Sequence, residues 1–519
     1  MNPLRTIVLA AGTMAAFASQ APAQIVSESV DLSALQQIRD EGMNRSKLDD
    51  LATYLTDVIG ARLTNSPAAR IANSWAAETF RSWGLTNIKL EPWDSAFGRG
   101  WEIVNYSGRI LEPWPKPLAA YPQAWSGSTL VKGKPGRLTC QAVILDIRDS
   151  TDLAKYTGKL KGACVLRAAP RPIPPEFDPA RTRLSLDELI NPPAPRPSPA
   201  GPAGPVALGT PTNFQQVQRL NTAGTQLLRK EQPAAVLQSS AWTYGLFLNG
   251  GHMDGRTARD SVYNPVPHLI VAHEQFGTLY RVAQRGLPVK LEINLQTRFL
   301  DDNRFPTNVI AEIPGTDKAA EVVMIGAHYD SWHSGTGATD NGAGSVVMME
   351  AMRILKAVGL PLRRTVRIAL WTGEEQGLIG SRSWIRMHRA ELPKISAYLN
   401  VDNGTGRLRG IWDQSNSAAI PIFQQILAPF QDLGVVAVTH GNTGGTDHLS
   451  FVAAGVPGFN FRQDPIEYST RTHHSNVDTY ERLVIEDLKQ AATVVAWTAY
   501  VLANRAEMMP RPAPRAATP

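Results

Sequence analysis

Apolar residues recur at three- and four-residue steps from 32 to about 93, in LATYLTDVIG and IANSWAAETFRSWG, the period of helices with one buried face. Prolines and aromatics then cluster around 113–122 and mark a boundary loop. Short apolar runs follow, among them AVILDI, ACVLRA and GPVALG, each of strand length. A Pro-rich stretch, 170–205, interrupts them and lacks any periodicity, so it reads as a surface loop or a segment without a core. AAVLQSS and LIVAHEQF resume the strand and helix patterns.

From about 308 the texture changes. EVVMIGAH, TVRIALWT and ISAYLNV are continuous apolar runs, and amphipathic stretches near 344–358 and 378–389 follow the first two. GVVAVTH and GFNFRQ add two further strands, and a long helix is expected over 485–505. Continuous apolar strands alternating with helices predict an α/β fold: a central, mostly parallel sheet flanked by helices on both faces. The expected division is 24–125 as the helical start of that domain, 126–265 as a smaller β-rich insert, 266–506 as the catalytic core and 507–519 as a disordered tail.

Composition narrows the partners. The chain has 519 residues, 52 basic against 46 acidic, and no block of Lys and Arg interleaved with aromatics, which argues against nucleic acid. At the N-terminus Arg5 precedes a short apolar run and Ala21-Pro22-Ala23, the pattern of a cleavable leader over 1–23 rather than a membrane span. No later segment reaches spanning length, so the mature protein is expected in the periplasm or outside the cell. Two cysteines, Cys140 and Cys164, sit in strand-like runs; a disulfide and two buried thiols fit equally.

The chemistry lies where acidic and imidazole groups fall relative to the strands, because ligands in open α/β sheets bind beyond the strands' carboxyl ends. His328 and Asp330 follow EVVMIGA, and Asp340 lies in the Gly-rich loop SGTGATDNGAG. Glu374 and Glu375 follow TVRIALWTG, Asp402 follows ISAYLNV, and His474 sits in RTHHSNVDT. Individually these residues have structural explanations: a helix N-cap for Asp340, first-turn acids for Glu374 and Glu375, a turn for Asp402. Together they bring several carboxylates to one sheet edge, at a cost in repulsion and desolvation that cations would offset. Imidazole and carboxylate form a ligand set that zinc accepts, and one carboxylate can bridge two ions. His328, Asp340, Glu375, Asp402 and His474 fill such a scheme, leaving Glu374 as general base.

AHYDS, the loop with TDNGAG, WTGEEQGLIGS, NVDNG, GGTDHLSF and HHSNVDTYE, taken in this order over 308–480, resemble the co-catalytic zinc peptidases that include bacterial leucine aminopeptidase, aminopeptidase Y and plasma glutamate carboxypeptidase. More weakly, the region 130–265 resembles a protease-associated domain. The resemblance implies two zinc ions per chain and hydrolysis of peptide substrates by a bridging-water mechanism. Asp340 would bridge, His328 and Asp402 would hold one ion, and Glu375 and His474 the other. Glu374 would take a proton from the attacking water, and the bond between Asp340 and Asn341 would be cis. Asp330 would orient the His328 ring, and Asp478 would steady the loop carrying His474. His473 stands where some relatives place an oxyanion-donating Tyr.

His252, His268, His273, His333, His388 and His440 are expected in structural or surface roles, and Asp447 and His448 in packing and hydrogen bonding. A binding protein on the same fold would lack some of the five ligands, and a glutaminyl cyclase would need only one zinc. Among exopeptidases the family favours an aminopeptidase, with a carboxypeptidase or dipeptidase as the alternative. A carboxypeptidase needs a cation for the terminal carboxylate, and Arg407, Arg409, Arg462 and Arg471 are the candidates.

Overall fold

The computed structural model describes residues 30–173, 183–191, 214–260 and 264–512. The expected leader, most of the Pro-rich stretch and the last residues of the tail lie outside them.

Two eight-stranded mixed sheets organise these residues. The centre of the first is parallel, as its continuous apolar runs predict: Lys318–His328 lies between Arg364–Trp371 and Ile395–Asn400, and Gly458–Gln463 continues beyond. Strand alternation sends Val323, Ile325 and Ala327 to one face and Val322 and Met324 to the other. The first face is covered by the helices Leu32–Asn44, Ala343–Val358 and Ile485–Asn504, and the second by Trp384 and Phe451. This is the expected α/β class, with both sheet faces buried.

The helix boundaries follow local chemistry. Asp31 caps Leu32–Asn44 by accepting from Ala34 N at 3.0 Å, and Ser66 caps Pro67–Ser82, whose proline opens the first turn. The last helix ends on Arg364, which is fully buried and donates to the carbonyls of Leu502 and Arg505. Both act on backbone groups that helix ends leave without partners.

The second sheet is wider than the expected insert. It includes the antiparallel ladder of Gly100–Glu112 with Lys290–Leu300, so it begins before residue 126 and ends after 265. These strands are only partly buried and carry many polar residues, a pattern that a search for continuous apolar runs passes over. Two short strands of the first sheet, Thr86–Pro92 and Leu408–Trp412, escaped notice in the same way, whereas only Ala437–Thr439 of the GVVAVTH run forms strand.

Two further segments correct the sequence reading. Within the Pro-rich stretch the helix Leu186–Ile190 packs on the first sheet's side: Leu189 is buried, and Arg462 donates to the carbonyls of Glu188 and Leu189. Beyond the last helix Met509 is buried and Arg511 donates to the carbonyls of Gly455, Leu392 and Ile395, so this part of the expected tail is fastened down. An aromatic cluster of Trp93, Phe97, Trp101 and Trp125 joins the two sheets' units.

Cys140 and Cys164 form a disulfide between adjacent strands of the second sheet, with Cα atoms 5.5 Å apart. This resolves the alternative left open by the sequence. Closing a loop of this size restricts the unfolded chain, so Cys140→Ser with Cys164→Ser is expected to cost about 3 kcal/mol. Urea denaturation of both proteins measures the difference.

Candidate active site

The carboxyl ends of the parallel strands deliver the expected residues to one place. His328 is the last residue of Lys318–His328, and Glu374–Glu375 and Asp402 follow the ends of Arg364–Trp371 and Ile395–Asn400. Asp340 lies in the tight turn before Ala343–Val358, and the Asp340–Asn341 bond is cis, in agreement with the resemblance. His474 comes from the loop beyond Gly458–Gln463.

Asp340 stands at the centre. Its Oδ1 is 3.2 Å from His328 Nε2, and its Oδ2 is 3.2 Å from His474 Nε2. Asp402 Oδ1 approaches His328 Nε2 at 3.4 Å, and Glu375 Oε2 approaches His474 Nε2 at 2.9 Å. His328, Asp340 and Asp402 thus form one potential metal triad, and Asp340, His473 and His474 another. The two share Asp340.

Hydrogen bonds fix the ring of His328. Its Nδ1 lies 3.0 Å from the carbonyl oxygen of Asp330, to which Nδ1–H donates, and this turns Nε2 toward Asp340 and Asp402. The Asp330 carboxylate is farther, at 3.7 Å. Its oxygens instead accept from Glu374 N at 3.1 Å and Thr64 Oγ1 at 2.8 Å. Asp330 therefore orients the ring mainly through its backbone and holds the Glu374 turn with its side chain. That turn needs Gly373, whose φ is +72° and whose missing Cβ would lie 2.3 Å from the Trp93 ring.

Asp478 acts on the Gly-rich loop more directly than on its own. Its carboxylate accepts from Thr339 N at 2.6 Å and Asp340 N at 3.1 Å, tying the loop of His474 to that of Asp340. The His473 ring stacks on His474 with centroids 3.7 Å apart, and its Nε2 is 3.7 Å from Asp340 Oδ2.

The electrostatics demand positive charge. Asp340 Oδ2, Glu375 Oε1 and Asp402 Oδ1 are buried and receive no hydrogen bond from the described residues. Asp447 is buried beside them, where a side-chain hydrogen bond from Ser381 partly offsets its desolvation. Desolvation raises Glu374 well above the usual carboxylate range; His328 opposes this, while Asp402, Glu375 and Asp447 add to it. Burial likewise pushes Glu375 and Asp447 up to about 7. Burial alone would lower His328, but Asp402 and Glu374 outweigh it and raise the imidazole well above its ordinary value. Unpaired carboxylate oxygens facing imidazole nitrogens suit a divalent cation, and this donor set fits zinc.

Candidate cations for a substrate carboxylate are engaged elsewhere. Arg407 pairs with Asp487, Arg409 with Asp464, and Arg471 with Glu467, while Arg462 donates to backbone carbonyls. His388 bonds Glu91 and Glu391, and His440 bonds Asp413, consistent with structural roles.

Sequence reasoning passed over two supports. Tyr468 packs its ring edge-on to His473, with centroids 5.0 Å apart, and lies against Gly404 just after Asp402. Arg62 is fully buried and donates to the carbonyls of Tyr329, Gly60, Thr336 and Gly337, gripping both sides of the site's loops. A lone Arg in a loop gives no sequence signal for this.

Residues 308–499 match the model of peptidase family M28. That segment is similar to the M28 peptidases. Carboxypeptidase Q of Mus musculus is 32% identical over 302 residues, covering 58% of this chain and 63% of that protein. The chain thus aligns with somewhat under two thirds of that curated relative's length. A peptidase M28 precursor from Shewanella amazonensis SB2B has a TM-score of 0.66 and 25% identity, covering 93% of this chain and 98% of its own. A zinc aminopeptidase from Bacillus subtilis shares the fold, with a TM-score of 0.56, 18% identity and coverage of 87% and 93%.

Replacing Arg62 by Met leaves four carbonyls short of a donor in a buried place. The zinc-free variant is expected to lose at least about 3 kcal/mol of stability, read by urea denaturation.

Proposed function

We propose that this chain is an exported zinc aminopeptidase that removes residues from the amino ends of peptides. The observation that carries this reading is the imbalance of charge at the site. Glu374, Glu375, Asp340, Asp402 and Asp447 converge there, while Arg407, Arg409, Arg462 and Arg471 are held by other partners. With Asp340, Glu375 and Asp402 given over to the ions, Glu374 and Asp447 remain to face a substrate's terminal ammonium, while the four arginines are engaged away from a terminal carboxylate. The Cys140–Cys164 disulfide supports an oxidising compartment, and no helix among the described residues is long and apolar enough to cross a membrane.

His328, Asp402 and Asp340 would hold one zinc ion, and Glu375, His474 and Asp340 a second. When bound, such ions polarise the scissile carbonyl and make water acidic enough to attack it near neutral pH. Glu374 takes the proton from the attacking water and returns it to the leaving amine. The bond from its N–H to Asp330 fixes the turn that carries it. Asp478 holds Asp340 through the backbone, so that its two oxygens face opposite ways.

A carboxypeptidase is the second reading, supported by the identity to carboxypeptidase Q. Two peptide series separate the readings, one with a free amine and a blocked carboxyl end, the other reversed. The proposal expects cleavage of the free-amine series alone; cleavage of the free-carboxylate series alone would overturn it. Glu374→Ala is expected to keep its zinc while kcat falls by about 100- to 10,000-fold.

A further inference from the structure

We propose that the second-sheet unit is a positioning device for one ligand of the zinc pair, acting through residues 247–249 on His474. This rests on the metal-pair reading above. His328, Glu375 and Asp402 sit at or just after the ends of core strands, and Asp340 just before a buried helix. His474 differs. It lies in an irregular loop well beyond Gly458–Gln463, and its backbone has φ +57°, a region in which a non-glycine residue needs outside support.

That support comes from the other sheet's unit. Asn249 N donates to the carbonyl oxygen of His474 at 2.9 Å. Leu248 pairs with Ser475 in an antiparallel bridge, and Phe247 N donates to Asn476 Oδ1 at 2.7 Å. Three consecutive residues therefore grip three consecutive residues of the ligand loop.

The gripping segment is itself anchored. Leu248 N donates to Ser240 Oγ at 3.1 Å, directly after the strand Ala235–Ser239. Gly250 N donates to Gln123 Oε1 at 2.8 Å, Ala124 N donates to the carbonyl of Gly250, and the Asn249 side chain donates to the carbonyl of Pro122. A continuous run of hydrogen bonds thus links the second sheet to the main chain of His474. On the other side Trp332 and His473 flank the ring, leaving Nε2 to face Asp340 and Glu375. Loosening the grip frees the ring's backbone and weakens one ion's site, whereas the site of His328 and Asp402 is built without it.

The test is zinc binding by the full chain, stripped of metal and titrated against a chromophoric chelator. Asn476→Ala removes the acceptor of the Phe247 N–H, and Asn249→Pro removes the donor to His474. Both are expected to weaken one of two zinc ions by about 10- to 100-fold, the usual effect of losing a ligand's supporting partner, while the other ion keeps its affinity. Asn476→Asp, which keeps an acceptor, is expected to restore near wild-type binding, and the metal-free melting temperature of Asn476→Ala is expected to stay unchanged. Two ions bound by Asn476→Ala as tightly as by wild type would overturn the inference, whether or not Asn249→Pro folds. Equal weakening of both ions would overturn it too. A wild-type chain that binds fewer than two zinc ions would instead overturn the metal-pair reading beneath it.

Discussion

Carboxylates crowd the edge of the first sheet more closely than protein dipoles alone can neutralise. Asp340, Glu375 and Asp402 each turn a buried oxygen toward the same small volume without a hydrogen bond to receive it. In a buried setting such oxygens repel one another and lose hydration, so their convergence is costly unless a cation completes the arrangement. The surrounding structure serves to hold this unfavourable geometry. Arg62 spends its donors on the carbonyls of the loops, and Asp478 spends its oxygens on the N–H groups of Thr339 and Asp340. Neither neutralises the cluster directly. Both make it rigid, which is what a metal pair requires of its ligands.

The fold explains why this rigidity is available. Parallel strands buried on both faces end together, so residues just beyond Lys318–His328, Arg364–Trp371 and Ile395–Asn400 share a rim without long connecting loops. The turn before Ala343–Val358 then points Asp340 back across that rim. His474 arrives on the loop beyond Gly458–Gln463, and it is there that the second sheet's unit reaches across with its own backbone. The second sheet's unit thereby belongs to the site as well as flanking it.

Much of this was legible in the residues. The three central strands read as continuous apolar runs because both faces are buried, and the ligand candidates read from their place after those runs. Leu408–Trp412 was hidden because Arg409 and Gly410 break its apolar pattern; Arg409 serves the ion pair with Asp464. Thr86–Pro92 is a largely exposed edge strand with little hydrophobic signal. The width of the second sheet was obscured because Gly100–Glu112 and Lys290–Leu300 mix polar with apolar positions along partly buried strands. The grip of residues 247–249 on the His474 loop lay beyond sequence reasoning, since most of it is made by backbone groups that every residue carries.

The central claim is that the shared carboxylate of Asp340 separates two zinc ions. Anomalous X-ray scattering at the zinc edge, recorded from crystals of the full chain, tests it most directly. The account predicts two peaks, one between Asp340, His328 and Asp402 and the other between Asp340, Glu375 and His474. A single peak that leaves Asp340 uncoordinated, or no peak at the sheet edge from zinc-supplied crystals, would contradict it.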